Sequence, residues 1–450
     1  MDMRCAPSCP PRQPFVASDA RRRGQLCTVL NRPDSTYNSG NAVQTTGAAS
    51  HVTPMKIGHY LSNIVGEGGT IHYIDRLMAA QRAAGHSVIR LGLRNTARPH
   101  DAPEIVRVPD ERQLTTIARE QGIDILHLHG PANLPAGSLL PAVRTVHGHS
   151  PHCPARSRYW PASDRSCSVR AAFWTCVRYH VAEKCERVRP GKILRNWRAF
   201  CAERDQLMTI PVICPSSYVY REMRRAGFPP ERLAVVPHAH FGDRPPYAPP
   251  PKASDRIPFL FLGRLAPEKG LAWLLAALAR TQGPIHLHVA GDGPERAAMV
   301  ARAKALGISG RVTFHGWVDE QQRDLLLMQS RALIVPSTFP ETFGLVVLEA
   351  FAVGRAVVAA ATGALPEIVT HEKTGLHVEP GNAAMLAASL EGLAADYERA
   401  AALGRAGRAQ LATRFSAQTH VAAVADVYAR ALSIDRAMES EARARSPREA

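Results

Sequence analysis

No apolar run in the chain approaches the ~20 residues needed to cross a bilayer as a helix. The first residues also lack the apolar core of a signal peptide. A soluble, cytoplasmic protein is the expectation, one able to work at the inner face of the membrane. Cysteine is missing after Cys214, so all nine thiols fall in the first half. In a reducing compartment they are expected to be free, not a disulfide framework. Aromatic residues are few, at 6%. Acidic residues are short against basic ones, 39 to 55, which leaves a formal charge of +16. The surplus is uneven. Residues 151–200 carry eleven Lys or Arg and three Asp or Glu. Such a patch suits phosphate groups, whether on nucleic acid, an anionic membrane or a phosphorylated acceptor, and it is equally compatible with a solvated basic face.

What the 450 residues do contain is enough alternating strand and helix pattern for two domains with full cores. The most informative stretch is Pro340–Ala350. It follows the apolar run Arg331–Ser337, which reads as a buried strand ending in a turn. From Gly344 the pattern is helical, and Gly354 stops it. Glu341 lies in the loop before the helix and Glu349 within it, with seven residues between them. At 1.5 Å rise per residue, Glu349 falls roughly 7 Å along the axis from Gly344. Between the two acids the backbone N–H groups of Phe343, Gly344 and Leu345 open a helix, a favourable seat for an anion such as a diphosphate. A phosphate seat with a hydroxyl acceptor at each end has the layout of a nucleotide-sugar. Two acids on an ordinary buried helix give the same spacing.

A second stretch supports the functional reading. The strand Pro258–Leu262 leads into Gly263-Arg264, then Pro267-Glu268-Lys269-Gly270 and the helix Leu271–Arg280. This places a planar guanidinium and a point charge over one anion site. Together the two stretches resemble the donor signature of family 4 glycosyltransferases, retaining enzymes of the GT-B fold. The resemblance runs over about residues 55–430, strong in the second half, looser in the first and absent from 1–54. It implies an α/β architecture of two Rossmann-like, doubly wound domains facing a cleft. It implies that Arg264, Lys269 and the helix start at Phe343, Gly344 and Leu345 carry the diphosphate, with Gly263 at the turn. Glu341 would hold the transferred sugar and Glu349 the ribose.

In chain order, residues 1–54 show no apolar period and read as a disordered extension, with Met55 a candidate start. The first domain is expected over 55–244. It opens with the strand Met55–Tyr60, a loop carrying Gly68 and Gly69, and a helix from Ile71 to about Ala84. Those glycines are either a tight turn or, as the resemblance implies, part of the donor site. Ile125–Gly130 and Val143–Gly148 read as parallel strands ending in histidines, where open sheets bind ligands. One of His127 and His129 is expected to face inward. His147 corresponds to the family's cleft histidine, orienting the acceptor or the donor sugar. At about 149–200 the chain has its own insertion, with Cys153, Cys167, Cys176 and Cys185 near His149 and His152. Four thiols can ligate zinc, but no Cys-x2-Cys pair occurs, so a structural zinc and unligated thiols both stand. By resemblance the insertion is an acceptor-recognition element. Ser217 is expected to cap the helix ending at Gly227. At the turn after Pro237, where relatives have Asn-Gly, this chain has His238-Ala239, which leaves any donor contact there open. A proline-rich linker follows at 245–254. The second domain is expected over 255–432, its last helix returning to the first domain, with a frayed tail at 433–450.

The function expected on this reading is retaining transfer of a sugar from a nucleotide diphospho-sugar to a hydroxyl acceptor. The acceptor would be a carbohydrate or a lipid-linked sugar, in cell-surface polysaccharide or glycolipid synthesis. No metal cofactor is called for, no nucleic acid partner is expected, and peripheral contact with an anionic membrane is. A nucleotide-sugar epimerase of the same fold and a basic nucleic-acid-binding protein are the alternatives.

Overall fold

The computed structural model describes residues 53–62, 69–93, 105–132, 134, 140–185, 190–242, 245–252 and 255–445, with only the backbone of 190 and 437–445. Gly68 and nearly all of the expected N-terminal extension lie outside the described residues.

Two parallel sheets carry the fold. Strands β1 (Lys56–Tyr60), β2 (Ser87–Gly92), β3 (Ile105–Arg107), β4 (Ile125–Leu128) and β5 (Ala142–Thr145) come first. A short hairpin, β6 (Tyr159–Trp160) and β7 (Arg165–Ser166), interrupts them, and β8 (Val212–Cys214) and β9 (Leu233–Val235) complete the first sheet. Its order is β3-β2-β1-β4-β5-β8-β9, every pair parallel. The second sheet uses β10 (Ile257–Leu262), β11 (Ile285–Ala290), β12 (Val312–Gly316), β13 (Ala332–Val335), β14 (Ala356–Ala360) and β15 (Gly375–Val378), in the order β12-β11-β10-β13-β14-β15. Each order reverses once, beside β1 and beside β10, and there the carboxyl ends of neighbouring strands open a crevice. The near-continuous apolar runs of β13 and β14 are buried throughout, as parallel strands covered on both faces require.

Helices cover both sheets. Those that position the site are α1 (Gly69–Ala83), α2 (Leu114–Glu120), α3 (Phe173–Glu183), α4 (Pro190–Leu207), α5 (Ser217–Arg225), α6 (Leu271–Arg280), α7 (Arg296–Ala305), α8 (Glu320–Met328) and α9 (Leu345–Ala352). After α10 (Leu365–Ile368), α11 (Ala383–Ala395) and α12 (Tyr397–Arg414), the long α13 (Ala417–Arg445) crosses to the first sheet. There Val424, Val427, Tyr428 and Ala431 pack on Ile57, Ile125, Val143 and Ile213. The helix runs through Arg445, beyond the end expected near Leu432. Its alanine-rich sequence has good helix propensity, which carries it past its last buried contacts.

The linker is held as well as stiff. Arg331 and Arg355, both fully buried, donate to linker carbonyls, Arg331 to Pro251 at 3.1 Å and Arg355 to Ala248 at 2.8 Å. Each guanidinium also satisfies carbonyls at helix ends, Leu393 for Arg331 and Leu327 for Arg355. The cap of α5 is Ser216, not the expected Ser217: its Oγ accepts from Val219 N at 3.2 Å.

Candidate active site

The loop from Ser337 to Gly344 leaves the carboxyl end of β13 and is fastened from several sides. Thr338 N donates to the Glu268 carbonyl at 3.0 Å, and Trp273 Nε1 donates to the Pro336 carbonyl at 2.7 Å. Gly270 has a φ of 74°, and a Cβ there would lie 1.9 Å from the Pro336 oxygen. Only glycine permits that approach, and the approach brings Lys269 to Glu341. Lys269 Nζ lies 2.8 Å from Glu341 Oε1 and 4.7 Å from the Phe339 ring centroid. Ser337 Oγ donates to the same carboxylate oxygen at 2.7 Å. Arg264 pairs with Glu268 and keeps a largely exposed side chain.

The chain then enters α9 through Gly344, whose φ of 112° again calls for glycine. The amides of Phe343, Gly344 and Leu345 donate to no other described residue. A Cβ built on Gly69, at the start of α1, would lie 3.4 Å from Leu345 Cδ1, and Leu345 packs against the α1 residues Tyr73, Ile74 and Leu77. Glu349 lies one turn further on. Burial pushes its pKa up to about 7, against the pull of Arg323, whose Nη1 is 3.1 Å away. Arg323, on α8, was invisible in sequence: no motif surrounds it, and folding alone brings it to Glu349.

Across from this loop stand the histidines of the first sheet. His127 and His129 are both buried, contrary to the expectation that only one would be. Residues two apart on a strand share a face, and the two rings stack with centroids 4.1 Å apart. His147 has its pKa lowered by burial to about 3 and is a neutral imidazole. Its carbonyl accepts from Thr342 Oγ1 at 3.0 Å, directly across from the acid loop. His238 belongs to the same place, with its ring 4.2 Å from Tyr73, 5.4 Å from His147 and 5.1 Å from Phe343. The departure from Asn-Gly at this turn therefore puts an imidazole where the two domains meet.

The insertion also reaches the acid loop. His149 Nε2 donates to the Pro340 carbonyl at 2.8 Å, and Ser166 Oγ donates to the Thr338 carbonyl at 3.0 Å. His149 was read only as a neighbour of the cysteines. Cys153, Cys167, Cys176 and Cys185 are free thiols in one neighbourhood. Burial raises the pKa of Cys176 to about 11 and of Cys185 to about 12, and the nearby thiols add to both shifts. They do not close a metal cage. Among the described residues, the group whose ligand atoms all lie within 4.8 Å is His59, His127 and His129. Arg158, counted in the basic patch, is buried and paired with Glu222.

Two facing parallel α/β sheets with an acid-flanked helix start at the second switch point define the GT-B class of glycosyltransferase folds. Solved structures agree on the fold. Sucrose-phosphate synthase from Thermosynechococcus elongatus superposes with a TM-score of 0.63 at 21% identity, covering 84% of this chain and 99% of that one. HepE from Anabaena, solved with UDP and glucose, superposes at 0.61 and 18%, covering 84% and 100%. The family models for Glycosyltransferase Family 4, over residues 67–240, and Glycosyl transferases group 1, over residues 248–410, both match. The chain belongs to glycosyltransferase family 4. A glycogen synthase of Mycobacterium tuberculosis is 32% identical over 199 residues, 44% of this chain and 48% of that protein. A GDP-mannose-dependent phosphatidylinositol monomannoside mannosyltransferase of the same organism is 30% identical over 231 residues, 47% and 59%. The chain spans about half the length of the curated relatives it matches.

Proposed function

We propose that the protein transfers a glycosyl group, with retention, from a nucleotide diphospho-sugar to a hydroxyl of a carbohydrate or lipid-linked acceptor. The observation that carries this reading is the start of α9, where three amides with no partner among the described residues lie between the Lys269–Glu341 and Arg323–Glu349 pairs. In the free protein both cations of the diphosphate seat are neutralised by acids, Arg264 by Glu268 and Lys269 by Glu341. An arriving diphosphate competes for both. Lys269 turning to it frees the Glu341 carboxylate to accept from sugar hydroxyls, and Glu349 accepts from the ribose. The bond from the anomeric carbon to the diphosphate oxygen then breaks, and its electrons go to that oxygen. Arg264, Lys269 and the amides stabilise the charge, with no metal ion. The acceptor oxygen attacks the same face, and its proton passes to the departing phosphate oxygen.

The place of work follows from the insertion. Trp174 and Val181 lie seven residues apart on α3, and both are strongly exposed. Exposed Arg170, Arg178 and Lys184 lie close by in sequence. A basic surface with a protruding indole suits an anionic membrane carrying a lipid-linked acceptor in glycolipid or polysaccharide synthesis. Among the described residues no helix is long and apolar enough to cross a membrane.

The test is a panel of nucleotide-sugars by thermal shift, followed by turnover. A ligand at a hundred times its Kd adds about 2.7 kcal/mol of stability. Release of nucleoside diphosphate with a new glycoside supports transfer. An epimerised nucleotide-sugar without release points to the epimerase, and no shift with any nucleotide-sugar overturns the proposal.

A further inference from the structure

The loop that carries Glu341 belongs to the second domain, yet much of its main chain is held from the first. Every second carbonyl from Pro336 to Thr342 accepts from a side chain. Trp273 Nε1, of the second domain, donates to Pro336 at 2.7 Å. The next three donors come from the first domain. Ser166 Oγ donates to the Thr338 carbonyl at 3.0 Å, His149 Nε2 to Pro340 at 2.8 Å and Ser216 Oγ to Thr342 at 2.8 Å. Extended chain repeats every two residues, so the loop turns one edge toward the first domain. Thr342 Oγ1 donates back across the same edge to the His147 carbonyl at 3.0 Å. The Glu341 carbonyl accepts from Ala364 N, of its own domain, at 2.8 Å. The carbonyls before and after Glu341 are therefore held by the first domain, and its own by the second.

His149 is the best defined of the three donors. A carbonyl only accepts, so the nitrogen facing Pro340 carries a hydrogen. Burial lowers the pKa of His149 to about 4, so the ring is neutral and Nδ1 is bare. That Nδ1 accepts from His152 Nε2 at 2.9 Å. His152, whose pKa burial also lowers, then has a bare Nδ1, and this is the ring nitrogen of the pair that is buried with no partner among the described residues. The His149 ring stands edge-on to Phe339, 6.1 Å between centroids, and Lys269 Nζ lies over that same Phe339 ring. Ser216 Oγ accepts from Val219 N, so its one hydrogen is left for Thr342.

We propose that His149 and Ser166, with Ser216, are positioning residues for Glu341: they clip its loop to the first domain, so that the carboxylate meets the transferred sugar in its working place only while the domains are held together. The catalytic half of this statement rests on the glycosyl-transfer reading; the clip does not. Arg264, Lys269 and the α9 amides, which take the diphosphate on that reading, all lie in the second domain. Loss of the clip therefore acts on sugar transfer and spares nucleotide binding. It also ties the insertion, which supplies His149 and Ser166, to the acid that holds the donor sugar.

The test is a double-mutant cycle on the full-length protein, with the nucleotide-sugar that the panel selects. His149→Phe keeps the ring and removes the hydrogen bond. It should lower kcat about 2–10-fold, the scale of one neutral hydrogen bond, with the Kd of the bare nucleoside diphosphate unchanged. In a Glu341→Gln background the same change should have no further effect, within about twofold, because residues that act through one group are not additive. A merely structural His149 would change melting temperature and leave kcat alone. Unchanged or raised kcat in His149→Phe overturns the proposal, and so does a full additive loss in the double variant. Ser166→Ala, on the hairpin, should behave the same way and decides the matter if His149→Phe does not fold. Two-bond ¹H–¹⁵N spectra of histidine-labelled wild type test the clip without turnover. His149 should show an Nε2–H form whose proton exchanges slowly with water, and an Nδ1–H form there overturns the clip. That spectrum as expected, with no transfer from any nucleotide-sugar, counts against the proposed function and not against the clip.

Discussion

The two sheets share one topology and present opposite chemistry at their carboxyl ends. Around β1, β4 and β5 the side chains are neutral imidazoles and hydroxyls, buried and hydrogen-bonded in series. After β10 and β13 they are ion pairs, Lys269 with Glu341 and Arg264 with Glu268, beside amides with no partner among the described residues. A neutral, preorganised face orients hydroxyl groups without competing for phosphate. A face of paired charges is stable when empty and re-pairs when an anion arrives. The comparison separates positioning from charge stabilisation, and each half can be broken alone.

The largest effect is expected on the charged side. Arg264→Ala and Lys269→Ala should each lower kcat about 10²–10³-fold with the fold intact, as the loss of a preorganised charge donor does. Near-normal turnover in both would remove the diphosphate from this site.

The first domain has buried charges of its own, and those are structural. Arg158→Ala should cost about 3 kcal/mol in urea denaturation, the low end for breaking a buried pair, because Arg225 remains 3.2 Å from Glu222. A stable variant with weaker vesicle binding would instead make Arg158 part of the basic surface.

A smaller effect divides the two acids. Glu349→Gln should weaken binding of the bare nucleoside diphosphate by about 1.5–3 kcal/mol, the range for a charged hydrogen bond. Glu341→Gln should leave that affinity unchanged and reduce kcat. Titration calorimetry beside turnover reads both, and the reverse pattern would turn the donor round. The acid pair also has a pH signature. Burial raises the Glu349 pKa to about 7, so the carboxylate proposed to accept from the ribose fills between about pH 6 and 8, and diphosphate affinity should rise over that window more in the wild type than in Glu349→Gln. Stability runs the other way. The folded chain holds this proton to higher pH than the unfolded one, so the contribution of Glu349 falls as pH rises from about 4.5 to 7. Glu349→Gln should abolish that fall in urea midpoints.

The smallest effect belongs to the insertion. Reversing exposed Arg165, Arg170 and Arg178 to Glu should lower affinity for anionic vesicles, most at low salt, and leave diphosphate binding untouched. Equal vesicle binding at low salt would return the patch to a solvated face.

Much of the charged half was legible because its parts are local. Gly263-Arg264, Glu268-Lys269-Gly270 and Pro340–Glu349 are short runs in which strand end, turn glycine, charge and helix start follow in order. Spacing along one helix and a positive-φ glycine are properties of neighbouring residues, so the sequence by itself determined the strand–loop–helix units from which the proposed anion seat is built. It did not show that Lys269 and Glu341 neutralise each other, because that pairing depends on Gly270 passing under the Pro336 carbonyl from another loop. The neutral half was less legible. His59, His127, His147 and His238 were separate residues at strand ends until β1, β4 and β5 were laid side by side. Tyr428 is 301 residues from the His127 it bonds, and His420 is 347 residues from Tyr73. Hydrogen bonds form within about 3 Å in space and are indifferent to separation along the chain. Only the tertiary structure, by laying β1, β4 and β5 side by side and returning α13 across the first sheet, decided which histidines join in one chain and which nitrogen of His147 bonds within it.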